Sequence, residues 1–379
     1  MRILIVGAGP AGLYFGYLMK RQNPDAEIRI VEQNPADSTF GFGVVFSERA
    51  LDFLREDDLD TYSLLVAEME TWRDLTLVHR KESVTIDGIG FTAIARLKLL
   101  QVMQQRLAAH RVIPEYNRTI TSAKELDGYD LVVAADGANS FVRKCHEAQF
   151  GTTLTYLKNK FVWYGTTKRF ESLTQTFIET EHGGFNAHHY RYAPGMSTFL
   201  VECDPATWQR AGFENLDESA TREFCERIFA ETLDGHPLVT NKSVWRNFPK
   251  VSNQHWTVGN KVLVGDALRT AHFSIGSGTR LAFDDVIALA KACNEHPKDI
   301  ASALAAYEAA RRPIVDKLVT AANTSAEWYE HFREHMKLSP WDLAWSYIQR
   351  SGRIDIEKLK KMSPRFVDGY MASRQQEAS

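Results

Sequence analysis

The chain opens on an apolar run, Ile3-Leu4-Ile5-Val6, and then breaks into glycines. Apolar residues return at helical spacing (Leu13, Phe15, Leu18, Met19), and a second apolar run, Ile28-Arg29-Ile30-Val31, ends on Glu32. Short apolar runs bounded by turn residues predict strands, and the spacing between them predicts a helix, so the stretch reads as one βαβ unit. Runs of the same kind return at Leu131-Val132-Val133-Ala134 and at Val262-Leu263-Val264. Between them the texture changes. From 72 to 92, and again from 155 to about 258, apolar and polar residues alternate in twos, with turns marked by glycine and proline. His182-Gly183-Gly184 and Pro194-Gly195 separate strand-like runs at 176–178, 185–192 and 197–201, which predicts an antiparallel meander. After Asp284 the pattern turns helical: Ala-rich from 286 to 310, then aromatic-rich with Trp328, Tyr329, Phe332, Trp341, Trp345 and Tyr347. The expected organisation is a parallel α/β part at 1–70, 96–154 and 258–325. A sheet part at 71–95 and 155–257 is inserted into it, and helices follow at 326–379, frayed from Arg374 onward.

Composition narrows the field only a little. A chain of 379 residues makes one large domain or two ordinary ones, and 44% hydrophobic residues suit a globular protein. A net charge of -3 gives no basic excess for nucleic acid. Cys145, Cys203, Cys225 and Cys293 form no CxxC and no metal-ligand spacing, so they read as reduced thiols of a cytoplasmic protein. The apolar start is broken by glycines and a proline and lacks a cleavage site, so it is not read as a secretory signal. No stretch approaches the roughly 20 apolar residues of a membrane span. The expectation is therefore no membrane, no nucleic acid, no metal, and a monomer or homodimer.

Three motifs carry chemistry. The first is Gly7-x-Gly9-x-x-Gly12, with Pro10 and Ala11 inside it, in a strand-turn-helix-strand setting. A dinucleotide pyrophosphate needs a tight turn, then backbone with no Cβ in its way, then close helix packing, and the helix N-terminus adds N–H groups and positive dipole. Glu32, 20 residues after Gly12 and followed by Gln33, is placed to accept from a ribose hydroxyl. This does not separate a flavin from a nicotinamide dinucleotide. The second is Asp136-Gly137-Ala138-Asn139-Ser140, directly after a strand; alone it reads equally as a helix cap. The third is Gly265-Asp266-Ala267, then Gly276-Ser277-Gly278-Thr279. A strand-end aspartate suits a polyol hydroxyl, and a glycine-flanked helix start suits an electron-rich ring edge.

In this order the three motifs resemble those of the flavoprotein aromatic hydroxylases related to para-hydroxybenzoate hydroxylase: GxGxxG, a central DG and a later GD. Arg96, on a predicted helix before the DG motif, matches a family arginine. The resemblance implies a Rossmann-like FAD-binding domain with an inserted antiparallel β-sheet substrate domain and a helical C-terminal tail. It also implies FAD as cofactor, NADH or NADPH as electron donor, and O2 as oxidant of an aromatic ring through a flavin C4a-hydroperoxide. By the same resemblance Glu32 holds the adenosine ribose, Asp266 the ribityl chain, and Gly276 to Thr279 the isoalloxazine edge, while Asp136, with Gly137, supports the nicotinamide step or FAD. Four stretches resemble a narrower branch: Phe40-Gly41-Phe42-Gly43-Val44-Val45-Phe46-Ser47, His272-Phe273-Ser274-Ile275, Tyr307-Glu308-Ala309-Ala310-Arg311-Arg312-Pro313, and Ser325-Ala326-Glu327-Trp328-Tyr329. That branch hydroxylates salicylyl- and anthraniloyl-CoA thioesters; the violacein-pathway hydroxylase of a tryptophan derivative is also similar. Where most of the broad family has His then Pro-Pro after the GD motif, this chain has Arg269 and then His272-Phe273, so its pocket cannot be copied from the family.

Ring hydroxylation of this kind asks the protein to hold the ring, exclude water and accept a proton from a ring hydroxyl or amine. His272 is the first candidate for that site, against the alternative of a structural histidine. His188 and Tyr190 share one face of a predicted strand and His189 the other. Val45, Phe46, Tyr164 and Phe273, with Trp163, are candidate substrate contacts, although core packing explains aromatic residues equally well. Lys158, Lys160, Lys168 and Arg169 are candidates for the phosphates of a CoA ester, or simply a solvated face. A flavoprotein without oxygen insertion and a flavin-free dehydrogenase remain alternative classes.

Overall fold

The computed structural model describes residues 1–47 and 51–377. Its first layer is a five-stranded sheet in the order Thr257–Val258, Lys261–Leu263, Leu131–Ala134, Arg2–Val6, Glu27–Val31. The last four are parallel. Ile3, Leu4, Ile5 and the whole of Leu131–Ala134 are fully buried, as befits strands covered on both faces. The helix Pro10–Gln22 covers one face so closely that Gly16 has no room for a Cβ beside Ile30. The long helices Gly278–Glu295 and Ile300–Glu330 complete this part.

The second layer is an eight-stranded sheet. Its path runs Leu238–Val239, Thr152–Thr166, Met196–Cys203, Gly183–Ala193, Leu173–Thr180, Leu75–His79, Glu82–Ile86, and Arg246–Asn253 pairs with the long strand Thr152–Thr166. The meander from 173 to 203 is antiparallel throughout. Its joint to the early hairpin is not: Leu173 to Phe177 run parallel to Leu75 to His79. A three-stranded sheet of Gly43–Ser47, Phe91–Ala95 and Glu70–Trp72 lies between the two layers.

Two features depart from the sequence pattern. Three helices, Pro205–Arg210, Glu218–Ile228 and Ala230–Leu233, interrupt the region read as alternating strands. Asp204 and Asp217 cap the first two by accepting from Thr207 N (2.9 Å) and Ala220 N (2.8 Å). Phe224 on the second of them, with Phe213 and Phe229 in the links between them, closes the outer side of the sheet. The tail is also more ordered than the fraying expected from Arg374: a helix runs Pro364–Glu377, and the two residues beyond it lie outside the described residues. With the helix Pro340–Gln349 it packs on the early hairpin. Asp87, at the hairpin's end, accepts from Phe366 N (2.9 Å), and its carbonyl accepts from Ser363 Oγ (2.5 Å). Among the described residues no helix is long and apolar enough to cross a membrane.

Candidate active site

One continuous cavity of about 660 Å³ runs from the glycine loop of the first sheet to the inner face of the second. Its dinucleotide half is lined by Gly7, Gly9, Pro10, Ala11, Glu32, Gln33, Arg96, Asp136, Gly137, Asp266 and the segment from Gly276 to Thr279. The glycines divide by what their missing side chains allow. Gly7 has φ +102°, and a Cβ there would run into the Ala135 carbonyl. Gly12 does not line the cavity; its bare Cα lets the helix pack on the Gly7 carbonyl. At Gly9, Gly137 and Gly278 a Cβ would meet nothing within 4 Å. These positions leave open space on the cavity wall, as backbone approached closely by a ligand requires.

The acids of this half are partly engaged. Glu32 accepts from Ala8 N (2.9 Å), Asn34 N (2.9 Å) and Asn34 Nδ2 (2.7 Å). A carboxylate has about four acceptor sites, so one remains. Asp136 Oδ2 accepts from Phe141 N (2.7 Å), while its buried Oδ1 has no partner and burial raises its pKa. Asp266 is open to the cavity. Its surroundings raise its pKa by desolvation, which Arg96 opposes; desolvation likewise lowers Arg96, which Asp266 opposes. The turn carrying Asp266 is clamped from behind. Asp285, fully buried, takes Arg269 in a bidentate pair (2.7 and 3.1 Å) and Gly265 N (3.2 Å), and Arg311 Nε lies 3.3 Å away. The unusual Arg269 thus builds the turn rather than the cavity wall.

The motif from Phe40 to Ser47 joins the two halves. Its glycines let the backbone lie on aromatic rings: a Cβ at Gly41 would sit 2.6 Å from Trp163, and one at Gly43 2.5 Å from Tyr192. Gly43 N donates to Thr198 Oγ1 (3.1 Å), and Gly43 O accepts from Tyr190 (3.1 Å). Val45 therefore faces the cavity against Gly276. Phe46, one residue on, points into the first core instead and does not line the cavity.

The substrate half is lined by aromatic groups (Phe161, Trp163, Phe248, Phe273, Tyr347) with Gln175, His188, Tyr190 and Arg350 among them. His188 and Tyr190 face the cavity, and His189 lines a separate hollow on the other side of the sheet. Burial lowers His188 to about 3, helped by Arg350, and raises Tyr190, so both are neutral near pH 7. Two sequence candidates lie elsewhere. Tyr164 is fully buried in the outer core with Phe185, Phe199 and Cys225, because strand alternation turns it away when Trp163 faces in. His272 sits behind Phe273 (4.1 Å between rings) and against Phe248 (4.9 Å), does not line the cavity, and is lowered to about 3 by burial. None of the four basic residues expected near a CoA ester lines the cavity: Lys160 lies over Trp208 (4.7 Å), Lys168 pairs with Asp234 (2.7 Å) and Arg169 with Glu171 (3.6 Å), and Lys158 is exposed. Residues unmarked by the sequence take their place. Arg350 donates to Ser274 O and Tyr347 O (both 2.8 Å), bringing the tail into the site. Gln175 was legible in principle, two residues from Leu173 on the same strand face; nothing in the tail's pattern marked Tyr347 or Arg350.

Comparison with known proteins agrees with this geometry. Residues 1–322 match the family model described as FAD binding domain. The salicyloyl-CoA 5-hydroxylase of a Streptomyces species is 38% identical over 97% of this chain and 73% of its own length. The 3-hydroxy-4-methyl-anthranilyl-[aryl-carrier protein] 5-monooxygenase of Streptosporangium sibiricum is 37% identical over 87% of this chain and 89% of its own. The protodeoxyviolaceinate monooxygenase of Chromobacterium violaceum is 33% identical over 92% and 94%. Among solved structures, 2-methyl-3-hydroxypyridine-5-carboxylic acid oxygenase superposes with a TM-score of 0.73 at 17% identity, covering 92% of this chain and 95% of its own, which is a likeness of fold. The chain belongs to this FAD-binding family, among the flavin-dependent monooxygenases that hydroxylate aromatic rings, with FAD as cofactor and NAD(P)H as the co-substrate typical of the group.

Proposed function

We propose that the substrate is an aromatic acyl thioester of the salicylyl- or anthraniloyl-CoA type, hydroxylated on its ring. One observation carries the reading: a relative named as a salicyloyl-CoA hydroxylase matches 97% of the chain, including the tail that supplies Tyr347 and Arg350. The aromatic wall supports it, and Arg350 is the one cation lining the substrate half among the described residues, suited to a single carbonyl oxygen.

FAD fits the other half. The glycine loop and the N-terminus of Pro10–Gln22 take the pyrophosphate, and the remaining acceptor site of Glu32, beside Gln33, takes a ribose hydroxyl. Asp266 takes the ribityl chain, Gly276 to Thr279 meet the ring edge, and Arg96 and Asp136-Gly137 border the space between. When bound, the flavin supplies electron transfer from NAD(P)H and activation of O2. The protein's share is placement. Phe161, Trp163, Phe248 and Phe273 hold the ring and keep water away. His188, neutral at rest, accepts the proton that a ring hydroxyl or amine gives up as the ring becomes more electron-rich. Tyr190 stays protonated and anchors Gly43, and His272 backs Phe273.

The 33% likeness to protodeoxyviolaceinate monooxygenase favours an indole-derived substrate as the second reading. NADH and NADPH oxidation by the purified yellow protein, with salicylyl-CoA, anthraniloyl-CoA, free salicylate and tryptophan compared, decides between them. The expected result is acceleration by a CoA thioester alone, with product heavier by one oxygen. Acceleration by an indole or a free phenol and not by the thioesters would overturn the substrate assignment.

A further inference from the structure

Behind His188, away from the cavity, lies a buried acid. Glu202, on the neighbouring strand Met196–Cys203, is 2% exposed, and no lysine or arginine pairs with it among the described residues. Its Oε1 accepts from Asn159 Nδ2 (2.9 Å), which also donates to Tyr329 O (2.7 Å). Its Oε2 has no hydrogen-bond partner and lies 3.5 Å from His188 Nε2, which has none either. Two buried polar atoms left open and facing each other call for a reason, since such atoms are almost always satisfied. On the other side of the ring, His188 Nδ1 is 3.1 Å from Gln175 Nε2, and Gln175 lines the cavity. The imidazole is wedged, stacked on Tyr329 (4.9 Å between centroids) with Phe273 edge-on (5.4 Å). Its ring has little room to turn, but its hydrogen is free to change nitrogen.

We propose that Glu202 is a positioning residue for His188: its carboxyl holds Nε2 and decides which ring nitrogen carries the hydrogen. The proposal rests on the reading of His188 as proton acceptor. With the carboxylate ionised, Nε2–H points to it across the 3.5 Å gap, and the Nδ1 lone pair, on the cavity side, accepts from the Gln175 amide, whose Nε2 lies 3.1 Å away. With the carboxyl protonated, its O–H donates to Nε2, the ring hydrogen sits on Nδ1, and Nδ1–H donates to Gln175 Oε1 after the amide turns over. Going from the second state to the first, the carboxyl releases one proton, the ring hydrogen moves from Nδ1 to Nε2, and the Gln175 amide turns back; no other proton moves. Burial without a cation pushes Glu202 up to about 8 and, with Arg350, pushes His188 down to about 3, so the exchange falls just above neutrality and the ring never holds two hydrogens at rest. The other ionisable groups facing the pair are His272, Tyr329 and Arg350; Lys160, on the strand beside Glu202, points away over Trp208. Only in the first state does a substrate that displaces the Gln175 amide meet a lone pair on the cavity side; in the second it meets a hydrogen.

The test is ring-nitrogen NMR of the holoenzyme labelled with ¹⁵N-histidine, titrated from neutral to alkaline pH, with the His188 signals identified by their loss in His188→Gln. In the wild type the His188 hydrogen should pass from Nδ1 to Nε2 with a midpoint near 8; in Glu202→Gln that midpoint should vanish. One tautomer throughout the wild-type titration would overturn the proposal, and this arm needs no Glu202 variant to fold. An unchanged midpoint in Glu202→Gln would overturn it too. In parallel, kcat for salicylyl-CoA should rise roughly tenfold between about pH 7 and about pH 9 in the wild type and stay flat in Glu202→Gln, with KM unaffected. A tautomer change with a flat kcat keeps Glu202 as the positioning group and removes His188 from proton transfer.

Discussion

His188, His189 and His272 are each held near a pKa of about 3, chiefly by burial. A depressed pKa stabilises the fold above the unfolded value of about 6.5, and that stability is lost as pH falls toward 3. Glu202 works the other way: its raised pKa adds stability below about 4.5 that is lost as pH climbs through 8. The histidines' share of the stability should therefore fall as pH drops from 6.5 toward 4. His189 is the cleanest probe because it lies outside the cavity, bonded to Thr176 Oγ1 (2.8 Å). His189→Gln should show a shallower acid fall than the wild type in melts followed by circular dichroism; an identical slope would mean that this ring is not held neutral. At this scale the sequence was half legible. Strand alternation separated His188 and Tyr190 from His189, which is the arrangement found. The same rule, applied to Trp163 and Tyr164, would have sent one of the two outward, and only the fold says which.

The glycine loop can be examined one position at a time. Gly7→Ala forces a left-handed backbone and a collision with Ala135, so it should destabilise the apoprotein by about 2 kcal/mol or more. Gly9→Ala meets nothing in the protein and should leave the apoprotein melt within about 0.5 kcal/mol. It should nevertheless lower the flavin-to-protein absorbance ratio, because its methyl enters the cavity space proposed for the pyrophosphate. Equal flavin content in Gly9→Ala and wild type would remove FAD from this end of the cavity. The βαβ unit was readable because its signals are local: an apolar run, glycines at fixed offsets, an acid at the next strand's end. The three helices between 205 and 233 carried local signals as well, Asp204 before Pro205 and Asp217 before Glu218. They are short and sit among alternating residues, so the strand period masked them. The parallel joint between Leu75–His79 and Leu173–Thr180 had no local signal at all, since it is made by residues almost a hundred positions apart.

At the scale of the molecule, the tail is part of the site. It reads as aromatic core, and it is core, but the end of the helix Pro340–Gln349 also delivers Tyr347 and Arg350 to the cavity. Arg350→Met should therefore keep FAD and the fold while raising the substrate KM on the order of tenfold, the loss of about one charge-assisted hydrogen bond. Unchanged KM in steady-state product assays would return Arg350 to a purely structural place.

The same tail sets a timetable for the early hairpin. Asp87 waits for Ser363, 276 residues later, before its turn is bonded, and the hairpin's apolar side waits for Phe366 and Val367. At ribosomal speeds of about 5–20 residues per second, that is a delay on the order of 15 to 55 s. Over that interval the apolar side of the hairpin lacks the residues that cover it in the finished fold, so a substitution at Phe366 or Val367 would leave the same side uncovered for good.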